Sequence, residues 1–456
     1  MRSLLRSRRG AAAFATVIAL MPLIGVVALG GEAGSWYVTK QHAQNAADAA
    51  AVSGAMQQLC LSNAPCAVTQ TVDYRAKQAA AANAFCNAGG TAYPGSQCGA
   101  SLPAGISQSV QIASLTSWNG AAGTYVQATV SQQQPAYLAQ VLGLTTVTIP
   151  ATAVASVKSV LFPPCVLSLT GSISFQGSPN INAPNCGMAS NDPAKDAINF
   201  TGGGMSMNLG SLSTVGGCTG AASFCSSALT YLPAPTKNPF ADLDGALTTL
   251  CGASPSLPAK CGLAKCTPAT ALTPYTAAKP CTNDGFKTKG TDALTLAAGG
   301  VYFISGTLTL TGGSSINGSA GVTFILLPGA TIDTKGGGTL TLAGPATAPS
   351  NSSLPAALQS SAGLFQYMAM YVAPVTPAPP MTFGGNSNIT LTGNIYAPTA
   401  DVTFQGNPTI AVGGTAGGCG QLIAASISFN GNATFDTTGC PSQTKLPKSQ
   451  YVQLVQ

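Results

Sequence analysis

Carboxylates and thiols are the side chains of this sequence that could carry chemistry, and their spacing limits what they can do. Cleavage of a polysaccharide needs clustered carboxylates, one to protonate the leaving oxygen and another to activate water. Asp333, Asp401 and Asp436 stand isolated in the sequence, and they read as turn or solvent-facing residues. Asp242 and Asp244 are the closest pair, but they lie in a Pro-rich stretch where an Asx turn is the expected role. Asp192 and Asp196 flank Pro193 in what reads as a loop. The chain has one Glu and one His, His42, which removes most acid–base and nitrogen-ligated metal chemistry. The expectation is a protein that is not an enzyme and uses no cofactor and no metal.

The 14 cysteines are an even number with no repeated zinc-ligand spacing to histidines, so disulfides are the default reading. Cys251, Cys261, Cys266 and Cys281 could in principle hold zinc, but their long spacings favour disulfides. Disulfides require an oxidising compartment, which the amino terminus must supply.

Only 7% of the 456 residues are charged, against roughly a quarter in an ordinary soluble domain. Ser, Thr, Asn and Gly must solvate the surface instead. With 53 Gly, 31 Pro and 2 Trp, many short strands and turns fit better than a helical bundle. Four of the 18 basic residues, Arg2, Arg6, Arg8 and Arg9, fall in the first nine positions. The remainder is nearly neutral, with no dispersed basic surface for nucleic acid.

After Arg9, residues 10–31 carry no charge, and as a helix they would span the ~30 Å of a bilayer core. The arginines outweigh Lys40 beyond the span, which orients the amino terminus to the cytoplasm and the bulk outward. The alternative is a cleavable signal peptide, with Ala28-Leu29-Gly30 as its cleavage site. Trp36 and Tyr37 suit the far membrane interface. An Ala-rich helix follows at 41–56, able to dock closely on its own domain or on another subunit.

The run Arg8-Arg9-Gly10, the apolar span, Trp36-Tyr37 and the string from Gln44 to Ala51 together resemble the TadE/TadG-like family of Tad (Flp) pilus-assembly proteins. The resemblance implies an amino-terminal membrane helix, a large extracytoplasmic region, and a role in Tad-type pili or surface adherence. A prepilin-peptidase site would place Glu five residues after Gly10, where this chain has Ala15, so such processing is not expected.

Beyond the span, 71–83 reads as a second helix and 136–142 as a short one, while 109–113, 125–130 and 147–157 alternate as half-buried strands. This describes a small α+β domain over 32–160. Next comes a repeat of the form apolar, small polar, Phe, any residue, Gly. Its copies begin at Ile173, Ile198, Met381, Val402 and Ile427, and Leu308 begins a variant with Leu for Phe. Ile181, Ile316, Ile389, Ile410 and Phe435 stand four residues after the Gly of five copies. The two-residue period turns the first and third side chains inward and the small polar one outward, and the Gly suits a corner. Spacings of 21 and 25 residues fall in the range of stacked coils. Residues 161–445 therefore read as a mainly β region, a parallel β-solenoid, the alternative being a β-sandwich.

A Pro- and Cys-rich insertion is expected at 231–289. A second Pro-rich stretch at 345–380 contains Leu364-Phe365-Gln366-Tyr367, expected as a buried strand. Cys165 with Cys186, and Cys419 with Cys440, each bracket one repeat and are the candidate disulfides. The expected organisation is a cytoplasmic basic segment at 1–9, a transmembrane helix at 10–31, the α+β domain, the solenoid, and a tail at 446–456. The resemblance extends into the carboxy-terminal region through Gly300-Val301-Tyr302-Phe303, the stretch 394–398 and Gln421-Leu422-Ile423-Ala424.

The function expected is a non-catalytic component of a Tad-type pilus or adherence apparatus in a bacterial inner membrane, single-pass, with its bulk periplasmic. Its partners would be the membrane and other pilus-assembly or envelope proteins. The alternative is a surface adhesin or glycan-binding solenoid, in which outward Thr arrays such as Thr307-Thr309-Thr311 and Thr390-Thr392 would form a flat hydroxyl face.

Overall fold

The computed structural model describes residues 8–62, 69–87, 92–99, 101–252, 260–268, 270–334, 336–385, 388–406, 409–411, 420–436 and 447–455. The chain divides into two compact units, residues 1–158 with 451–456, and residues 159–450.

The first unit begins with α1 (Arg8–Ser62), which runs through Pro22 without a break. Its two halves differ in composition and in burial. In the apolar half Val17, Ile18, Leu23, Ile24, Val26 and Val27 are all exposed. This stretch is the one helix among the described residues long and apolar enough to cross a membrane. In the Ala-rich half Ala43, Ala46, Ala47, Ala50, Ala51 and Ala55 are fully buried. They pack against Ala76 and Ala80 of α2 (Val72–Ala82) and against Val126, Ala128, Ala151 and Ala153 of a sheet. Small side chains on both surfaces let the backbones approach closely. Gly54 marks the tightest point, since a Cβ there would meet Val126 Cγ1 at 2.8 Å. The Ala face is therefore taken up by the chain's own domain. Thr71 caps α2 by accepting from the Tyr74 N–H at 3.1 Å.

The sheet is an antiparallel meander of β1 (Ser107–Trp118), β2 (Ala121–Pro135) and β3 (Thr146–Ser159). β1 and β2 are longer than the alternation in the sequence suggests because Asn119 and Gly120 turn between them at φ 48° and 80°. That is the two-residue turn Asn-Gly favours in hairpins. The expected helix at 136–142 is shorter, a 3₁₀ turn at Ala139–Leu142. The residues read as a carboxy-terminal tail form a strand, Gln450–Leu454, on the free edge of β3. The Val455 N–H donates to the Val154 carbonyl there.

The ladders among the described residues of the second unit are parallel, which an antiparallel sandwich would not allow. In its largest sheet the order runs Cys281–Asp284, Val301–Ser305, Thr323–Leu326, Met368–Val372, Asn394–Gly406, Leu422–Gly431, Pro164–Ser168, Asn180–Ser190. The strand latest in sequence among these thus pairs with the earliest, Ile423 opposite Leu167. Both faces of this sheet are buried, so its strands are continuous apolar runs rather than alternations. Tyr302, Phe324, Met370, Ile395, Leu422, Val166 and Met188 share one core. Phe303, Ile325, Tyr371, Tyr396, Ile423 and Leu167 share another, covered by Leu243 and Leu247 of the helix Ala241–Cys251 and by Leu358 and Phe365.

Copies of the Phe repeat lie side by side. Phe383, Phe404, Phe429, Phe175 and Phe200 stack in that order, with ring centroids 5.6, 5.4, 5.3 and 4.8 Å apart. The repeat glycines Gly406, Gly431 and Gly177 have φ of 87°, 75° and 88°. A Cβ on Gly177 would meet the Gly431 carbonyl oxygen at 2.9 Å, so both conformation and space exclude a side chain. The Leu308 copy lies apart, in a two-stranded pair with Thr331–Asp333.

Two expectations change here. Leu364 and Phe365 are buried, but in the 3₁₀ helix Ala362–Phe365 rather than a strand; they plug the sheet face from outside, a role that needs a compact turn. The stretch 231–289 is more than an insertion. Its helix covers the sheet, and its strands Ala264–Lys265 and Cys281–Asp284 extend the sheet edge.

Candidate functional site

The three isolated carboxylates stay apart. Asp333 stands opposite Thr309. Asp401 accepts a hydrogen bond from Ser426 Oγ at 2.5 Å, and Asp436 accepts one from Asn182 Nδ2 at 3.3 Å. Each therefore faces a Ser, Thr or Asn on the neighbouring strand rather than a second carboxylate. Asp192 accepts from the Ala194 N–H, the local turn bond expected before a proline loop. Among the described residues no group of three His, Cys, Asp or Glu side chains could hold a metal ion, and His42 is exposed.

Asp242 and Asp244 lie in the first turn of the helix Ala241–Cys251, not in an Asx turn. Asp242 is exposed, whereas Asp244 points at the sheet. There Tyr396 Oη donates to Oδ2 at 2.6 Å and Tyr371 Oη donates to Oδ1 at 3.0 Å. Asn238 Nδ2 in turn donates to Tyr396 Oη at 2.8 Å. The two tyrosine rings stack with centroids 5.4 Å apart. Burial raises the Asp244 carboxyl from its ordinary 3.8 to about 6, and the two phenol hydrogen bonds oppose that rise. Burial beside this carboxylate drives both phenols well above their ordinary range. These hydrogen bonds pin the helix Ala241–Cys251 to the sheet. No sequence signal could have found them, since Tyr371 and Tyr396 lie 127 and 152 residues from Asp244.

On the strand Cys281–Asp284, the Asp284 carboxylate meets Lys260 Nζ at 2.8 Å and Lys265 Nζ at 4.0 Å. The hydrogen bond from Lys260 holds its carboxyl below the ordinary range.

Cys165 and Cys186 are disulfide-bonded, with Cα atoms 5.6 Å apart. Cys419 and Cys440 lie outside the described residues. The four cysteines weighed as a zinc set form two disulfides instead, Cys251 with Cys261 and Cys266 with Cys281. Cys86 with Cys98 and Cys218 with Cys225 are bonded as well.

The small polar residue of each repeat forms an outward ladder. Thr382, Thr403, Ser428, Ser174 and Asn199 are successive register partners, and Ser174 and Ser428 hydrogen-bond at 2.8 Å. A second sheet aligns Thr295, Asn317, Thr341 and Thr390 in the same way. Of the Thr arrays read from the sequence, Thr390 and Thr392 belong to this sheet, whereas Thr307 and Thr309 belong to the pair with Thr331 and Asp333. Thr311 turns back, donating to the Thr288 carbonyl.

One further residue had no role in the sequence reading. Glu32, the single Glu, accepts from three successive backbone N–H groups, those of Tyr137, Leu138 and Ala139. Its place as the first charge after the apolar run was the available signal.

Residues 10–57, which make up the apolar half of α1 and most of its Ala-rich half, match the family described as putative Flp pilus-assembly TadE/G-like. No curated protein and no solved structure matches the chain.

Proposed function

We propose that this protein is a non-catalytic, membrane-tethered component of a Tad-type (Flp) pilus-assembly or adherence apparatus, with its amino terminus cytoplasmic and its bulk extracytoplasmic. One observation carries the reading. The segment that matches the TadE/G-like family coincides with a helix whose first half is apolar and exposed and whose second half is docked on its own domain. Such a helix is a lever between a bilayer and a folded domain. Four arginines before the apolar run and none in 10–31 support the orientation.

In this reading the parallel sheets of the second unit are faces of one β-solenoid. The stacked Phe column and the Gly corners support it. Its role is that of a rigid extracytoplasmic body presented to other pilus-assembly or envelope proteins.

A second reading is a glycan-binding adhesin on the same anchor. The aligned ladder from Thr382 to Asn199 favours it, because regularly spaced hydroxyl and amide groups can meet the hydroxyls of a polysaccharide. Imaging of pili on a deletion strain separates the two. Loss of pili is expected for the assembly role; normal pili with weakened attachment would transfer the function to the adhesin reading.

A further inference from the structure

The apolar run of α1 ends at Gly31, and Glu32 follows it. Glu32 accepts hydrogen bonds from the N–H groups of Tyr137 at 2.6 Å, Leu138 at 3.1 Å and Ala139 at 2.8 Å. These bonds fix the loop between β2 and β3 to the helix at the level where the run stops. The loop also reaches further along the helix. Tyr137 and Leu138 line one groove of about 460 Å³ with Val27, Ala28 and Trp36. Val27 lies about 6 Å before Gly31 at 1.5 Å per residue, so the loop overlaps the last turn of the span.

Three large apolar side chains of that loop are exposed, beside Gln140. Tyr137 is 73% exposed, Leu144 48% and Leu138 43%. Water is a poor partner for these side chains, and the interfacial layer of a bilayer is a good one for Tyr and Leu. Backbone polar groups entering that layer lose their water and need acceptors from the protein. Glu32 supplies them to three successive N–H groups. On the same groove the Trp36 indole N–H is buried and has no acceptor among the described residues.

We propose that the 136–144 loop is a second membrane contact, with Tyr137, Leu138 and Leu144 inserted in the leaflet at the carboxy-terminal end of the span. The α+β unit then rests on the bilayer instead of swinging from a single helix, and Glu32 is the clasp that sets its height. The inference rests on residues 10–31 crossing the membrane, and the experiment keeps the two claims apart.

The full chain, with Trp36→Phe and Trp118→Phe, is reconstituted in phosphatidylcholine and phosphatidylglycerol vesicles whose phosphatidylcholine carries brominated acyl chains. Single tryptophans are introduced as Leu138→Trp, Leu144→Trp, Ile18→Trp and Met56→Trp. Met56 is exposed on the same helix, about 37 Å beyond Gly31. Emission from positions 138 and 144 is expected to fall by roughly half, as for aromatic residues at the interface, while position 56 is unchanged. Quenching at 18 with positions 138 and 144 behaving like 56 overturns the proposal and leaves the loop to water or another chain. Quenching equal at all four positions overturns it too, because Met56, about 37 Å beyond Gly31, would then meet lipid as the loop does, and the contact would not be the loop's. Absence of quenching even at 18 removes the span and the proposal together.

Discussion

Phe404 and Phe429 show most directly how this chain converts a residue type into a position. Each is fully buried between neighbouring rings, while Thr403 and Ser428 beside them are half-exposed. Phe404→Asp or Phe429→Asp places an unpaired carboxylate in an apolar column and should cost several kcal/mol or unfold the region. Thr403→Asp should change stability by less than about 1 kcal/mol. Urea titration of the three variants checks the contrast, and equal losses would mean the column is not the core. Asp244 gives a pH signature. Its carboxyl is raised to about 6 from 3.8, so the folded state binds the proton more tightly than the unfolded chain. The resulting stabilisation is complete below pH 4 and lost as pH rises through 6, a span of up to about 3 kcal/mol. Asp244→Asn should flatten that slope; a wild-type midpoint that does not fall between pH 4.5 and 7 would show the carboxylate to be fully compensated.

At the scale of elements, closures between strands matter more than strand propensity. The disulfide between Cys165 and Cys186 closes a loop of sequence separation 21, worth about 3 kcal/mol in the chain-entropy model. Replacing both with Ala should lower the unfolding free energy of the second unit by about that amount. We expect the same local pairing for Cys419 with Cys440. Peptide mapping under non-reducing conditions reads both pairs, and free thiols at 419 and 440 would refute the second. The strand Gln450–Leu454 is the other closure. It covers the β3 edge and brings Val452 against the core of the first unit. A chain ending at 449 should lose roughly 1–3 kcal/mol from that unit and expose an edge prone to association. Its unfolding midpoint and its sedimentation against the full chain test this.

For the whole molecule, one helix long and apolar enough to cross a membrane leads into the first unit, and the second unit is inserted in sequence between β3 and the last strand of the first. The arginine asymmetry predicts that a periplasm-active reporter fused after residue 60 is on and that the mature protein keeps its amino terminus. Recovery of a chain beginning near Gly31 would favour the signal-peptide alternative.

The amino-terminal apolar helix, the Ala-rich helix, the alternating strands and the Phe-Gly repeat were all legible in the sequence, because each is a local pattern of composition or period. The polar ladder followed from the same period. The partner on each face was not legible. Ile427 of a late repeat pairs with Ile173 of the first one, and Ser428 bonds Ser174 across 254 residues. Nothing local distinguishes that neighbour from any other Ile-Ser-Phe strand. The same holds for Asp244, whose hydroxyl donors come from two distant strands, and for Glu32, whose three donors lie more than a hundred residues on. Periodicity fixes the orientation of a side chain, whereas the order in which strands stack is a property of how the whole chain closes its edges and buries its faces.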